Sequence, residues 1–201
     1  MKLPPPDALL HEVRIFIKDL ETHPGHVVQV AKLADRLFVL LKPLHGLGAR
    51  DRRLLAAAAL MHDIGWSVSP SGKAHHKHSA RLIRQNPWVN LTAAEIDLVA
   101  QVARYHRRKL PTPKHKPFAR LDRTSRRRVC ALAALLRIAD ALDRSQSSLI
   151  RDIGATLLPE SVRITALARK PARDEEYAFL KKRDLFVEHF ESSIELHIKH
   201  R

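Results

Sequence analysis

Most of this 201-residue chain has the hydrophobic spacing of amphipathic helices. Apolar residues recur every three or four positions in four segments, which leaves one apolar stripe on each predicted helix. A fifth segment differs, because residues 54–61 (Leu-Leu-Ala-Ala-Ala-Ala-Leu-Met) contain no polar side chain and predict a helix buried on every side. The four amphipathic segments are residues 9–20, 27–40, 96–107 and 125–141.

Residues near the ends of these segments predict where the helices begin. Thr22 is the predicted N-cap of the second helix, with Pro24 in its first turn. Thr92 and Glu95 have the spacing of a capping box. Two further helices are predicted, a buried one over about residues 51–65 and a short one over residues 75–85.

The pattern changes after residue 145, where alternating apolar and polar positions predict β-strands. The elements predicted there are strands 150–158 and 162–168, a helix over 174–190 and a strand over 194–198. The predicted fold is therefore mainly α, a helical bundle with a small C-terminal β-β-α-β appendage. We predict two domains, a helical domain of residues 1–145 and an appendage of residues 146–201 packed on it.

Charge adds an expectation about partners. The chain carries 36 Lys and Arg against 21 Asp and Glu, a formal net charge of +15. Residues 104–128 contain eleven of the basic residues and one acid, Asp122, which is enough charge to attract a polyanion. Phosphorylated small molecules, polyphosphate and nucleic acid fit this charge, as does a solvated surface. Nucleic acid fits less well, because only 5% of residues are aromatic and few bases could stack.

Other features limit the class of protein. The 45% hydrophobic content excludes a disordered chain, and no apolar run is long enough to span a membrane. Residues 1–6 (Met-Lys-Leu-Pro-Pro-Pro) lack the apolar core of a signal peptide. The single Cys130 has no partner for a disulfide, so a buried, inert thiol and a reducing compartment are expected. We therefore predict a cytoplasmic protein; the sequence is compatible with an oligomer.

Histidines and aspartates on predicted apolar faces are candidates for chemistry. His62 and Asp63 close the apolar run. His26 lies on the buried stripe of the second helix, His106 follows the stripe of residues 96–103, and Asp140 lies on the apolar face of the last bundle helix. Any one of them is compatible with a hydrogen-bonded core histidine or a salt-bridged acid, such as Asp140 with Arg137.

Together these residues predict a metal site. Two imidazoles and two carboxylates from three helices (His26, His62, Asp63 and Asp140) form a mixed nitrogen and oxygen set suited to manganese, iron, magnesium or zinc. His78, in the His-His-Lys-His segment at 75–78, and His106 would complete a second metal position with Asp63 as the bridge. The alternative for that segment is a cluster of histidines that faces solvent.

The order of these residues resembles the H…HD…D pattern of the HD-domain metal-dependent phosphohydrolases. Four longer phrases are similar to the C-terminal HD-type region of the exopolyphosphatase / guanosine pentaphosphate phosphatase family, and so is the β-β-α-β tail. The phrases are Leu-Met-His-Asp-Ile-Gly at 60–65, His-His-Lys-His-Ser at 75–79, Ala-Arg-Tyr-His-Arg at 103–107 and Leu-Leu-Arg-Ile-Ala-Asp-Ala-Leu-Asp-Arg-Ser at 135–145.

The resemblance implies a helical fold, one or two divalent metals and a preference for anions rich in phosphoanhydride bonds. Members of that family also carry an N-terminal actin-like module credited with polyphosphate hydrolysis, which these 201 residues do not contain, so that activity is not carried over. Trp66 stands where binuclear HD relatives that hydrolyse cyclic dinucleotides have a lysine, which argues against such a substrate.

The predicted function is metal-dependent hydrolysis of a phosphoanhydride or phosphoester of a nucleotide or polyphosphate-like anion. Asp63, Lys77 and Arg107 are the predicted catalytic residues. Phosphate groups are expected to bind Lys77, Arg104, Arg107 and Arg144, since cations neutralise the charge on phosphoryl oxygens. The alternative is a non-catalytic module that binds polyphosphate, an alarmone or RNA through residues 104–128.

Overall fold

The computed structural model describes residue 1, residues 7–69 and residues 71–200. Most of the N-terminal segment on which the signal-peptide prediction rests lies outside these residues. The helices are α1 (Ala8–Ile17), α2 (Pro24–Leu40), α3 (Lys42–His45), α4 (Ala49–Met61), α5 (His75–Gln85), α6 (Ala93–Arg104), α7 (Lys116–Ala119), α8 (Arg123–Ala141), α9 (Arg173–Lys182) and α10 (Asp184–Phe190), and the strands are β1 (Ile150–Leu157), β2 (Ser161–Ala168) and β3 (Ser193–His200).

Helix α4 lies at the centre of the bundle, in contact with α1, α2, α6 and α8. Every residue of the apolar run 54–61 is buried, as its composition predicts. Residues 56–59 are four consecutive alanines, whose side chains are small enough to let the neighbouring helices approach α4 closely. The last bundle helix, α8, is buried from Ala131 to Ala141 and packs on α2 and α6.

Side chains cap the starts of several helices, among them α6 and α8. Thr92 and Glu95 form the predicted capping box of α6, with Thr92 N donating to Glu95 Oε2 at 3.0 Å. Asp122 caps α8 by accepting from Ser125 N at 2.8 Å. The prediction for α2 was wrong: the N-cap is His23, and the Thr22 hydroxyl bonds the His23 ring instead of the backbone.

The appendage is a three-stranded sheet in the order β1-β2-β3. β1 and β2 pair antiparallel, and β3 returns parallel to β2. A parallel partner needs a crossover connection, which α9 and α10 provide. The predicted single helix over 174–190 is divided at Arg183, the C-cap of α9 and the N-cap of α10.

The mainly helical fold with a small β-β-α-β appendage is confirmed. One hydrophobic cluster contains side chains of both parts, including Leu54 of the bundle and Phe186 and Ile194 of the appendage. The division into two domains at residue 145 therefore stays a prediction. Among the described residues, no helix is long and apolar enough to cross a membrane.

Candidate metal centre

Six buried histidines and aspartates meet at one end of the helical bundle. They come from distant parts of the chain, and three overlapping groups of three each place their ligand atoms within 4.8 Å of one another. The groups are His26, His62 and Asp63; His62, His106 and Asp140; and Asp63, His75 and His106. Because the groups share members, they form one continuous cluster.

The turn after α4 positions two of these residues. His62 is the C-cap of α4, and Asp63 precedes a 3-10 helix, Ile64–Val68. A Cβ on Gly65 would lie 2.1 Å from the His75 carbonyl oxygen, so only glycine allows the start of α5 to pack there. Ser79 joins the two segments, since its hydroxyl donates to His62 O at 2.7 Å and accepts from Gly65 N at 2.9 Å.

Asp63 lies between the two halves of the cluster. Its Oδ2 is 3.9 Å from His26 Nε2 and 3.7 Å from His62 Nε2. Its Oδ1 is 3.2 Å from His75 Nε2 and 3.5 Å from His106 Nε2. The two oxygens therefore face different pairs of imidazoles, which is the geometry of a carboxylate that can bridge two cations.

Each of the four histidines turns the same ring nitrogen into the cluster. The Nδ1 atoms are held by acceptors behind the rings: Asp143 Oδ2 for His26 at 2.8 Å, Ala59 O for His62 at 2.7 Å, Gly72 O for His75 at 3.1 Å and Ala103 O for His106 at 2.7 Å. A carbonyl only accepts, so Nδ1 carries a proton in the last three, and in the neutral ring the lone pair turned into the cluster is that of Nε2.

A divalent metal fits this arrangement. Among the described residues, His62 Nε2 and Asp63 Oδ1 are buried without a hydrogen-bond partner. The 3.2 Å approach of His75 Nε2 to Asp63 Oδ1 does not have the direction of a hydrogen bond. Buried acceptors that face one another cost free energy unless a cation lies between them, and the donor set suits a metal that takes nitrogen and oxygen ligands.

The charges of the centre are strongly coupled. Burial opposes ionisation of Asp63 and Asp140, but His62 next to the first and Lys182 beside the second hold both pKa values well below the usual range. Burial also opposes protonation of His26, but Asp140 and Asp143 outweigh it and raise its pKa to about 10. Burial and the nearby His62 hold the pKa of His106 well below its usual range. The centre therefore holds two carboxylates that stay ionised.

The structure brings together five of the six residues that the sequence predicted as ligands. Among the described residues, none of the three groups that could hold a metal includes the sixth, His78, and one of them includes His75. Helical spacing explains the difference, because His75 is four residues before the buried Ser79 and eight before the buried Ile83. The five are His26, His62, Asp63, His106 and Asp140.

Besides His75, two residues of the site were not predicted as members. Asp143, which orients the His26 ring, is one turn beyond Asp140 and fully buried; its spacing from Asp140 was a usable signal. Lys182 comes from the appendage and forms a close ion pair with Asp140, which no pattern in the sequence indicates. Arg137, the expected alternative partner of Asp140, pairs with Asp184 at 2.6 Å.

The cluster opens into a cavity of about 590 Å³. Of the four predicted phosphate-binding residues, Arg107 and Arg144 line this cavity, whereas Lys77 and Arg104 line a neighbouring pocket that also includes Arg107. The Arg107 guanidinium reaches the cluster itself, with Nη1 3.2 Å from His75 Nε2. The cavity thus places cations beside a centre that is suited to hold a metal, an arrangement that can bind a phosphorylated ligand.

One comparison with known proteins identifies a family. The family model described as Ppx/GppA phosphatase, domain III, matches residues 17–186. That range runs from the end of α1 to the middle of α10 and contains all six residues of the cluster. A search of curated proteins finds no match.

Proposed function

This chain belongs to the Ppx/GppA phosphatase family, through its domain III, and we propose that it is a metal-dependent phosphohydrolase of the HD type. The proposed substrate is a phosphoanhydride or phosphoester of a nucleotide or polyphosphate-like anion. One or two divalent cations (manganese, iron, magnesium or zinc) would be bound per chain. The cytoplasm is the proposed location.

One observation carries the proposal. Four imidazoles have their Nε2 atoms within 3.9 Å of an oxygen of the same carboxylate, Asp63, and each ring is held from behind at Nδ1. Core histidines that serve only packing have no reason to share this orientation. Fixing the ring and its proton from behind is how proteins prepare histidines as metal ligands.

We assign the ligand roles by position. His26, His62, Asp63 and Asp140 are the proposed ligands of one metal position, and His75 and His106 of a second, with Asp63 shared. The chemistry that a divalent cation supplies in such a site is Lewis-acid polarisation of a phosphoryl group and acidification of water. The low pKa of Asp63 favours the role of ligand over that of proton acceptor, because a general base works best with a pKa near the working pH.

The arginines of the cavity supply the remaining electrostatics. Arg107 and Arg144 line the cavity and would neutralise charge on the phosphoryl oxygens of a bound substrate. Their planar guanidinium groups suit bidentate contact with phosphate. Arg144 is exposed and has no carboxylate within 4 Å among the described residues, which leaves it available to an anion. Lys77 and Arg104 would act further along the substrate.

Cys130 has no catalytic part in this proposal. The thiol is half-buried, and burial raises its pKa to about 11, so it is protonated at neutral pH. A protonated thiol is a poor nucleophile, which agrees with the inert role expected from the sequence.

The direct test is elemental analysis of untagged protein together with a hydrolysis assay on nucleotides and polyphosphate. We expect about one or two divalent cations per chain, and loss of both metal and turnover in His62→Gln. The matched control is His45→Gln, since His45 is hydrogen-bonded to Phe38 O outside the cluster. A wild-type protein that contains metal but hydrolyses none of these anions, while still binding them, would support the binding-module alternative instead.

A further inference from the structure

The two edges of the sheet in the appendage differ in what covers them. The strand order β1-β2-β3 leaves β1 and β3 at the edges. Helix α2 covers the outer edge of β1, where Gln29 Nε2 donates to Ile150 O at 2.6 Å and Arg36 Nε donates to Ile153 O at 3.1 Å. A register shift between residues 150 and 152 interrupts that edge as well. Both features prevent another strand from pairing with β1.

The backbone of β3 shows which of its residues face the outer edge. Ser193 N donates to Glu160 O at 3.1 Å, and Ser193 is the register partner of the first residue of β2. The backbone groups of Ser193 therefore point towards β2. Because the backbone groups of successive residues in a strand point in opposite directions, every second residue after Ser193 also faces β2, and the residues between them face away. The residues that face away are Ile194, Leu196, Ile198 and His200.

Little covers these outward groups. Arg183 Nη1 donates to Ile194 O at 3.1 Å, which agrees with the outward direction of that carbonyl. In the described part of the chain, no hydrogen bond outside the sheet involves the backbone of Leu196 or Ile198. Their side chains are half-buried against the hydrophobic core. The edge therefore presents apolar side chains together with backbone groups that can pair, which makes it a template for another strand.

The charges on the exposed face of β3 favour one particular partner, a second copy of β3. Glu195, His197 and Lys199 alternate with the apolar residues and are exposed. Lysines alone would repel a second copy of the strand. Here an acid and a base lie at equal distances on either side of His197, so antiparallel pairing about that residue brings Glu195 of each copy opposite Lys199 of the other. Opposite charges in such cross-strand pairs stabilise the pairing.

The direction of the backbone permits this register. In an antiparallel pair centred on His197, Leu196 lies opposite Ile198 of the second copy. Both residues turn their backbone groups to the shared edge, as a hydrogen-bonded pair requires. Glu195 and Lys199 then form non-hydrogen-bonded pairs, in which the Cα atoms are about 4.5 Å apart and the side chains are closest. The register thus satisfies the backbone and the charges together.

An apolar groove continues the open edge. Its volume is about 470 Å³, and its lining includes Ile194 of β3 together with Leu180, Val187 and Glu188 of the helices. Leu180 is 57% exposed and Val187 is 39% exposed. In the register centred on His197, residue 200 of the second copy lies opposite Ile194 and on the same face of the sheet. The end of the second strand would therefore cover the groove and shield its apolar side chains from water.

We propose that the appendage is a dimerisation surface, through antiparallel pairing of β3 with β3 of a second copy about a twofold axis at His197. The two sheets would form one continuous sheet, and the interface would be isologous, since the same residues serve on both copies. This inference is independent of the proposed function, because no residue of β3 lines the cavity of the metal centre.

Sedimentation velocity of untagged protein between about 1 and about 200 µM tests the proposal. We expect a reversible dimer with a Kd on the order of 10 µM, because one strand edge and a short groove make a small interface. Glu195→Lys places lysines opposite each other at both ends of the pair and should weaken association at least about tenfold. Lys199→Glu should have the same effect. Combining the two changes restores opposite charges and should return the Kd to within about threefold of wild type.

The matched control is Asp19→Lys, which makes the same change of charge at an exposed position of the bundle and should leave the Kd within about twofold. The proposal is overturned if wild type stays monomeric over the whole range, or if the control weakens association as much as Glu195→Lys. It is also overturned if the combined change does not restore association. In a register centred on Leu196, for example, Glu195 faces His197 and exchanging the two charges would restore nothing.

Cysteines measure the register directly. His197→Cys places two thiols opposite each other, with Cβ atoms about 4.5–5.5 Å apart, so a small backbone movement allows a disulfide. The control is Lys199→Cys, whose two thiols would lie about four residues apart along the paired strands, roughly 13 Å. We expect mild oxidation to give a reducible dimer with His197→Cys only, above the background of wild type with its Cys130. Equal crosslinking of the two variants would contradict the pairing.

Discussion

The candidate metal centre and the neighbouring basic pocket have charges arranged in opposite ways. The basic pocket is lined by the cations Lys73, Lys77, Arg104, Arg107, Arg108 and Lys109. In the centre, buried carboxylates face imidazole nitrogens, and Lys182 and Asp143 supply further partners. In the basic pocket, largely exposed cations have no acidic partner among the described residues. The acceptors of the centre suit a cation, whereas the donors of the pocket suit an anion. The two regions therefore suit ligands of opposite charge, although residues next to each other in the sequence line them.

The largest effect is expected from a change at Asp143, which contacts the ring of the proposed metal ligand His26. Asp143→Asn keeps the shape of the side chain but removes the charge that the His26 ring contacts at 2.8 Å. We expect metal affinity to fall about 10- to 100-fold, as is usual for such outer partners, with anion binding in the basic pocket unchanged. A chelator competition assay measures the first and calorimetry the second.

Asp97→Asn is the control for this variant, because Asp97 pairs with Arg84 on the surface, with its side chain 51% exposed. Equal losses of metal affinity in the two variants would mean that Asp143 acts through general stability and not through His26.

The pH dependence of stability gives a smaller effect. In metal-free protein, the protonated His26 ring stabilises the fold, because folding raises its pKa to about 10. This stabilisation is complete below the pKa of an exposed histidine, which is about 6.5. That contribution is lost as the pH rises through about 10. A metal replaces the proton, so the rise in Tm caused by adding metal should grow between about pH 6.5 and about pH 8.5. Thermal unfolding with a chelator or with excess metal measures this difference. A rise in Tm that stays constant or shrinks with pH would contradict the assignment of His26 as a ligand.

The smallest effect is expected from a variant outside both regions. It tests whether metal binding and anion binding depend on the overall stability of the fold. Thr92→Ala removes the hydroxyl that accepts from Glu95 N at the start of α6. We expect a loss of about 1 kcal/mol in the free energy of unfolding, typical of a lost N-cap, measured by urea denaturation. Metal content and anion binding should both match wild type; a change in either would show that the centre responds to general destabilisation.

Local signals predicted most of the fold. The capping box at Thr92 and Glu95, the apolar run at 54–61 and the alternation after residue 145 depend on neighbouring residues, whose spacing is fixed by helix and strand geometry. The helix predicted over 174–190 failed because its division at Arg183 leaves the apolar spacing on both sides intact. Thr22 failed as a cap because its hydroxyl found a partner in the adjacent His23 ring.

Local spacing predicted only part of the candidate site. Periodicity placed His26, His106 and Asp140 on inner faces, and the structure brings them to one cluster with His62 and Asp63. The choice of His75 over His78 for the proposed second metal position depends on the rotation of α5, which the hydrogen bonds of Ser79 to the 62–65 turn define. The predicted phosphate-binding residues form one set in the sequence but two in space, because consecutive residues at 75–76 and 105–106 line different cavities.

The sequence by itself determined the order of the elements, the buried helix and the chemistry of the residues that converge, since these depend on residue type and on spacing along one helix. Only the tertiary structure decided that His75 joins the cluster, that Lys182 from the appendage pairs with Asp140, and that the cations divide between two pockets. The physical reason is distance along the chain. Contacts between residues dozens of positions apart depend on how whole helices pack, and no local spacing records that.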